Sequence, residues 1–497
     1  MDSGLSTKNM SKLYIFLIAG LLVFRSGELT AQAPHGPWSL EECLTYAISH
    51  NPDMKASELD LEADKANQVQ AKMNRLPTGS IGVSHGVNAG RSIDPFTNQP
   101  VTQQFQTTDA GLNAGLNLFS GLQVQNLIRQ MNLSFKASQQ DLQQTQNTVS
   151  LNVALAYLAI LQNEEMLEIA QQQVSTSKSQ LARADKLVAV GAMAQSTLAD
   201  LKVQAGNDEL ERINAVDNLA TAKLQLMQLM NLPAVPNFQI QRLSVQGLVE
   251  TGYDKSAEEV YAIAEKIQPG IIGADLRVKS AQRGVQAVRG ALYPSLSLYG
   301  YIGSNYSSAV PTTQFVADGT GFTTEEVAST TQYILVNGIR QPIYTTETSP
   351  NGQMQDFFYF DQLNFNLRNS FGVSLSIPIL NNWQMRTRIS NATIVRKRAE
   401  LLAETSRIQL RQDIEQAYNN LAAAQTRFET AKSQSEATEV AYQAAQKRFE
   451  NGSVHFVDLN LAKTNYDRAQ LNLVRFKYDF AFRKKILDFY INQPLTF

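Results

Sequence analysis

Ala110-Gly111-Leu112-Asn113-Ala114-Gly115-Leu116-Asn117-Leu118 alternates apolar residues with glycine and asparagine, and soon after it a run from Leu122 to Val190 contains no glycine or proline. Period two predicts a strand with two unlike faces. The following 69 residues, rich in Ala, Gln, Leu, Glu, Lys and Arg, predict one helix, about 100 Å long at 1.5 Å per residue. A strand that feeds such a helix is the unit from which the rest of the chain is read.

Three more segments share the strand pattern. They are Ile81-Gly82-Val83-Ser84-His85-Gly86-Val87, Leu296-Ser297-Leu298-Tyr299-Gly300-Tyr301-Ile302 and Phe371-Gly372-Val373-Ser374-Leu375-Ser376-Ile377. On a soluble sheet the polar face usually holds Lys, Glu or Thr. Here it holds Gly, Ser and Asn, as expected for a wall beside a water-filled lumen. Four strands cannot close a membrane barrel, whose lower limit is about eight, and open edges are not tolerated in lipid. Three chains would supply twelve strands, four from each. Tyr293, Tyr299, Tyr301, Tyr306 and the run Phe357-Phe358-Tyr359-Phe360 flank these strands, either as an interfacial aromatic girdle or as ordinary core aromatics.

The chain is internally duplicated. Ser39-Leu40-Glu41-Glu42 is echoed by Ser256-Ala257-Glu258-Glu259, Pro52 by Pro269 and Pro77 by Pro294, at an offset of 217. Further on, Gly191 answers to Gly452 and Asn231 to Asn492, at an offset of 261. The second half therefore carries 44 extra residues between about Gly303 and Asn369, rich in Thr, Gly, Ser, Asn and Tyr and without sustained period, which predicts a long exposed loop.

The second long helix is expected from Trp383 to Asn451. Leu410, Ile414, Ala417, Leu421, Ala424, Phe428 and Ala431 step by four and three, and Val149, Val153, Ala156, Ile160, Asn163, Leu167 and Ala170 hold the repeat-equivalent positions, as coiled-coil seams do. The stripe is narrow and the remaining surface is Gln, Ser, Asn and Thr, so a curved wall around an aqueous bore fits better than a solid core. Each long helix ends at a glycine, after which a return helix runs to Pro233 or Pro494, with Gly206 expected to interrupt the first. The expected plan is a signal at 1–33 and a first repeat at 34–233, with strands near 79–88 and 108–118, a long helix at 122–190 and a return helix at 192–232. A linker at 234–252 leads to a second repeat at 253–497, with strands near 294–303 and 370–380, a loop at 304–369, a long helix at 383–451 and a return helix at 453–493.

Bulk properties narrow the function. With 43 Lys+Arg against 45 Asp+Glu spread along the chain, no basic face for nucleic acid is implied. Lys8 and Lys12, the apolar stretch Leu13 to Phe24 and small residues around Ala31-Gln32-Ala33 read as an export signal, too short for a spanning helix of about 20 residues. The single cysteine, Cys43, excludes an intrachain disulfide and reads as a buried helix residue. His35, His50, His85 and His455 lack neighbours at metal-ligand spacing, and no phosphate loop, nucleophile elbow or zinc-protease motif is present, so neither metal, cofactor nor enzymatic activity is expected.

At this point the sequence resembles the TolC-like outer-membrane efflux proteins. The resemblance rests on the duplicated plan, the strand exits Gly115-Leu116-Asn117-Leu118-Phe119-Ser120-Gly121 and Ser376-Ile377-Pro378-Ile379-Leu380-Asn381-Asn382, and the hairpin tips. Arg448-Phe449-Glu450-Asn451-Gly452, with Asp458 beyond, is similar to the family's arginine-aromatic-glycine turn, and Val188-Ala189-Val190-Gly191-Ala192 with Asp200 beyond is a looser copy.

The resemblance implies an α+β membrane protein. Four β-strands per chain would complete a 12-stranded trimeric β-barrel in the outer membrane, with a long α-helical barrel in the periplasm. It implies a passive exit duct, gated where Asp458, Asp200 and Arg448 line the periplasmic mouth and touched by an adaptor at Gly191, Gly452, Val190 and Asn451. The implied partners are two further copies, a periplasmic adaptor, an inner-membrane transporter and outer-membrane lipid. Asp458 reads equally as a first-turn carboxylate beside the helix dipole. An exported coiled-coil adaptor is the rival reading, and the matched pairs of strands speak against it.

Overall fold

The computed structural model describes residues 36–93, 98–102, 104–243 and 253–493. The expected signal, His35, Pro494 and residues 244–252 of the linker lie outside the described residues. Each half opens with two short helices, α1 (Leu40–His50) and α2 (Pro52–Met73) in the first, α5 (Ala257–Ile267) and α6 (Pro269–Gly290) in the second. The echoed Ser-x-x-Glu is a capping box in both. Ser39 N–H donates to Glu42 Oε2 at 2.8 Å while Ser39 Oγ accepts from Glu42 N–H at 3.2 Å, and Ser256 and Glu259 repeat this at 2.8 and 3.3 Å. These bonds to the charged form hold both glutamates below the usual carboxylate range. Pro52 and Pro269 then occupy the first helical turn, where no N–H is needed.

The strands follow. β1 (Thr78–Asn88) returns through the small ribbon β2 (Arg91–Ile93) and β3 (Pro100–Thr102) to β4 (Phe105–Ser120). The long helix α3 (Gln123–Ala189) and the return helix α4 (Gln195–Leu229) complete the first half. The second half gives β5 (Ser295–Ser307), β6 (Thr313–Val336), β7 (Ile339–Asp356), a short helix α7 (Tyr359–Phe365), β8 (Arg368–Ser376), the long helix α8 (Gln384–Glu450) and the return helix α9 (Phe456–Tyr490). One four-stranded antiparallel sheet, in the order β1-β4-β5-β8, joins the halves. The 304–369 insert is not an irregular loop: it extends β5, forms the β6–β7 hairpin and returns through α7. Gly206 does not interrupt α4, because it is exposed in open space and its weak helix propensity costs only about 1 kcal/mol. The last strand ends at Ser376, short of Pro378, and β4 runs longer than expected at both ends.

Helix packing also joins the halves. α6 packs on α8 and, across the repeat boundary, on α3, while α9 packs on α8 and likewise on α3. The seams are buried at Val149, Val153, Ile160 and Ala170 and at Leu410, Ile414, Ala417, Leu421, Ala424 and Ala431. Tyr157, fully buried, donates its hydroxyl to Gln241 O at 2.5 Å and so pins residues 240–241, whose Ile240 bridges Trp38, to the first seam. Cys43 lies in that same cluster, and burial pushes its thiol up to about 12.

Candidate functional site

The sheet separates chemistry by face. Residues paired across adjacent strands share a face, so the register groups Ser80, Gly82, Ser84 on β1 with Gly111, Asn113, Gly115 on β4, Ser295, Ser297 on β5 and Ser370, Gly372, Ser374 on β8. The opposite face carries Ile81, Val83, Leu112, Leu116, Leu298, Ile302, Phe371, Val373 and Leu375. This apolar face is open, with Phe371 89% exposed. Among the described residues no helix is long and apolar enough to cross a membrane.

Tyr299 and Tyr301 fall on the polar face, opposite Gly372 and Ser370, so they are not part of a lipid-facing girdle. They lie against glycines: a Cβ at Gly372 would come 2.5 Å from the Tyr299 hydroxyl oxygen, and one at Gly111 2.9 Å from Cε2 of Tyr301. The rings can lie along the wall because those side chains are missing.

The hairpin tips are built alike. Gly191 (φ +75°) donates to Val188 O at 2.9 Å and Ala192 to Leu187 O at 2.8 Å. Gly452 (φ +70°) donates to Phe449 O at 3.0 Å and Ser453 to Arg448 O at 2.8 Å. This is the Schellman closure, which needs a left-handed residue and so favours glycine. Val190 and Asn451 are exposed at the two apexes. Phe449 and Phe456 from the second tip pack into one cluster with Ala184, Leu198 and Leu201 from the first, and Arg183 reaches Glu450 at 3.4 Å across them. Asp458 and Asp200 are exposed on the first two turns of α9 and α4. Arg448 is exposed on the last turn of α8. Among the described residues none of these three forms an ion pair, so Arg448 does not neutralise Asp458 within one chain.

Behind the tips lies a charged cluster absent from the sequence reading. Lys463 of α9, almost wholly buried, donates to Asp208 of α4 at 3.0 Å and to Asp467 at 2.5 Å, and Gln204 donates to Asp208 at 2.7 Å. Burial opposes the lysine's charge, but the two carboxylates more than offset it and raise its pKa. Burial raises Asp467, which Lys463 only partly counters. The signal was present: Phe456, Leu459 and Lys463 step by three and four, so a lysine stands on a seam.

A sheet with one open apolar face and one Gly/Ser face is thus continued by two helical hairpins of about 100 Å. The chain belongs to the outer membrane efflux protein family, whose sequence pattern matches residues 44–232 and 366–492; it is an outer-membrane transport protein. No curated protein matches it significantly. Among solved structures it resembles CusC, described as forming a transmembrane channel, with 14% identity over 93% of this chain and 96% of that one and a TM-score of 0.72. VceC of Vibrio cholerae gives a TM-score of 0.67 at 14% identity over 91% and 94% of the two chains. The open-state MtrE channel of Neisseria gonorrhoeae gives 0.67 at 16% over 92% and 89%. At these identities the likeness is one of fold.

Proposed function

We propose that three copies of this chain form the outer-membrane exit duct of a tripartite efflux or secretion system. The observation that carries this reading is the four-stranded sheet with segregated faces and two edges, on β1 and β8, left unpaired among the described residues. Joining β1 of one copy to β8 of the next would close a 12-stranded barrel with the apolar face toward lipid and Gly, Ser, Asn and the two tyrosines toward the bore. The long helices then continue the bore through the periplasm to a mouth formed by the tips. The described open state of MtrE supports gating in the fold. In this reading Asp458, Asp200 and Arg448 lie at the gate, and Gly191, Gly452, Val190 and Asn451 at the adaptor contact. The conduit is passive, without catalysis or cofactor of its own, and an inner-membrane transporter supplies the energy through the adaptor. The β6–β7 hairpin stands outside the cell.

Native mass spectrometry of the detergent-extracted protein tests this directly. A trimer that conducts ions in planar bilayers is expected, and a stable monomer would overturn the reading. An epitope inserted at Gly319 should be reached by antibody on intact cells.

A further inference from the structure

The helix α7 carries most of its large apolar side chains on its open surface. Two polar residues hold it to the protein: Gln362, 2% exposed, accepts the Ser307 N–H at 3.2 Å, and Asn366 just beyond the helix donates to Asn305 O at 2.7 Å, while Asp361 and Asn364 are exposed. Tyr359 and Leu363 are half-buried, but Phe358 is 56%, Phe360 79%, Phe365 63% and the following Leu367 61% exposed. Asp361, the only charged residue from Phe357 to Leu367, accepts the Phe358 N–H at 3.0 Å at the start of the helix.

Position supplies the occupant. Ser304 donates its hydroxyl to Leu363 O at 2.5 Å, and Tyr306 packs against Tyr359 with ring centroids 4.5 Å apart. Ser304 is paired with Ala110 and Tyr306 with Thr108, so both lie on the same face as Leu112 and Ile302, the apolar one. They stand at the rim farthest from the helical hairpins, because β5 starts after α6 and runs outward. α7 sits on β5, an interior strand, whereas a neighbouring copy that closes the barrel adds to β1 and β8 in the plane of the sheet.

We propose that α7 is an interfacial lipid anchor. It lies at the headgroup boundary of the outer leaflet, with Phe358, Phe360, Phe365 and Leu367 dipping into the acyl region. Aromatic rings on a short helix favour this depth, and continuity with the apolar sheet face gives them a ready lipid surface. Because Phe357 N–H donates to Thr312 O at 2.8 Å across the base of the β6–β7 hairpin, the anchor also fixes the root of that hairpin at the barrel rim. The proposal rests on the barrel reading above.

Tryptophans added one at a time in a background in which both native ones, Trp38 and Trp383, are replaced by Phe separate the two claims, with the full-length protein reconstituted in phosphatidylcholine vesicles brominated at shallow or deep acyl positions. Val373→Trp, mid-strand on the apolar face, reports the barrel. Phe360→Trp reports the anchor, and Phe360 is exposed enough to accept the larger ring. The expected result is that Phe360→Trp loses most of its emission to shallow bromines, Val373→Trp to deep ones, and neither to aqueous acrylamide. Quenching of Phe360→Trp by acrylamide and not by lipid, with Val373→Trp still lipid-quenched, would overturn the anchor and leave the barrel standing. Protection of Phe360→Trp from both quenchers would put protein against α7 and overturn lipid as its occupant. Absence of lipid quenching at both positions would overturn the barrel and the anchor together.

Discussion

Lys202 and Lys463 occupy the same position of the repeat, 261 residues apart, and have opposite fates. Lys202 is exposed on α4, whereas Lys463 is buried on α9 between two carboxylates. The partners explain the difference. The residue four places after Lys463 is Asp467, and its counterpart after Lys202 is Gly206; Asp208, which caps the cluster from α4, answers to Ala469 on α9. α9 also packs along α3 of the other half, so its seam is covered from two sides, whereas α4 packs mainly on α3 and meets α9 at the Lys463–Asp208 pair and the tip cluster. Duplication fixes the backbone, and a few substitutions then decide which copy of a side chain becomes structural.

The comparison predicts its own largest effect. Lys463→Met would leave Asp208 and Asp467 buried without their counter-charge, at a cost of about 3–5 kcal/mol. Lys202→Met would stay within about 0.5 kcal/mol, as surface changes do. Urea unfolding of the two variants in detergent measures both, and equal midpoints would remove the cluster from the stability of the fold. Replacing Lys463, Asp208 and Asp467 together by Met, Leu and Leu should restore most of the loss, because a well-packed apolar core can replace buried ions.

The tips come next, and here the halves should agree in stability. Gly191 and Gly452 are both left-handed with nothing near a would-be Cβ, so the backbone alone sets the cost. Valine at either site is expected to cost about 1–2 kcal/mol, and more than alanine, since branched residues tolerate this conformation least. Hydrogen exchange at Ala192 and Ser453 should rise in the corresponding variant, because the closing bonds open. If Gly452→Val abolishes export while Gly191→Val, equally frayed, does not, the two tips carry different adaptor contacts; equal loss would make them equivalent.

A smaller effect concerns acid. Burial raises the Asp467 carboxyl above its ordinary 3.8, so the folded protein holds that proton at a pH where the unfolded chain has released it. A raised carboxyl contributes stability as pH falls through the window just above 3.8. Lys463 has the same sign in a different window: its raised pKa contributes fully below the ordinary lysine value and is lost only as pH climbs through the folded one. Removing Lys463 should widen the Asp467 window upward, so the penalty of Lys463→Met should shrink between neutral and mildly acidic pH. Unfolding midpoints that keep a constant gap across that range would show that Asp467 does not titrate there.

Much of this architecture was readable in the residues, and the omissions have physical causes. The duplicated caps, the seams and the Gly/Ser faces are local patterns that survive divergence. The facing of Tyr299 and Tyr301 was also readable, since both share the parity of Ser295 and Ser297, whereas aromatic character alone leaves an interfacial girdle and a core position equally open. The β6–β7 hairpin was hidden because both of its faces are solvated, which removes the period-two contrast; its one clear mark was Asn337-Gly338, both at positive φ between Tyr-Ile-Leu-Val and Ile339. Lys463 escaped because a seam was sought among apolar side chains.

The smallest predicted effect lies at the mouth and sharpens the comparison most. Asp458 and Asp200 are not repeat-equivalent: Asp458 answers to Thr197 and Asp200 to Leu461, so the acids stand three residues apart in the common frame. Three residues are nearly one helical turn, about 4.5 Å along the axis. If both face the bore of a trimer, they make two stacked tiers of three carboxylates rather than one ring of six. Among the described residues neither forms an ion pair, so neither charge is cancelled there. In a narrow bore with low-dielectric walls, such tiers concentrate cations and favour multivalent ones. Asp458→Ala and Asp200→Ala should therefore each weaken block by a trivalent cation in planar-bilayer recordings, and the double variant should weaken it more than either. Equal block in the single and double variants would place both acids on a single tier. A double variant identical to the parent in conductance, selectivity and block would remove both from the gate and leave Asp458 as a carboxylate at the positive end of α9.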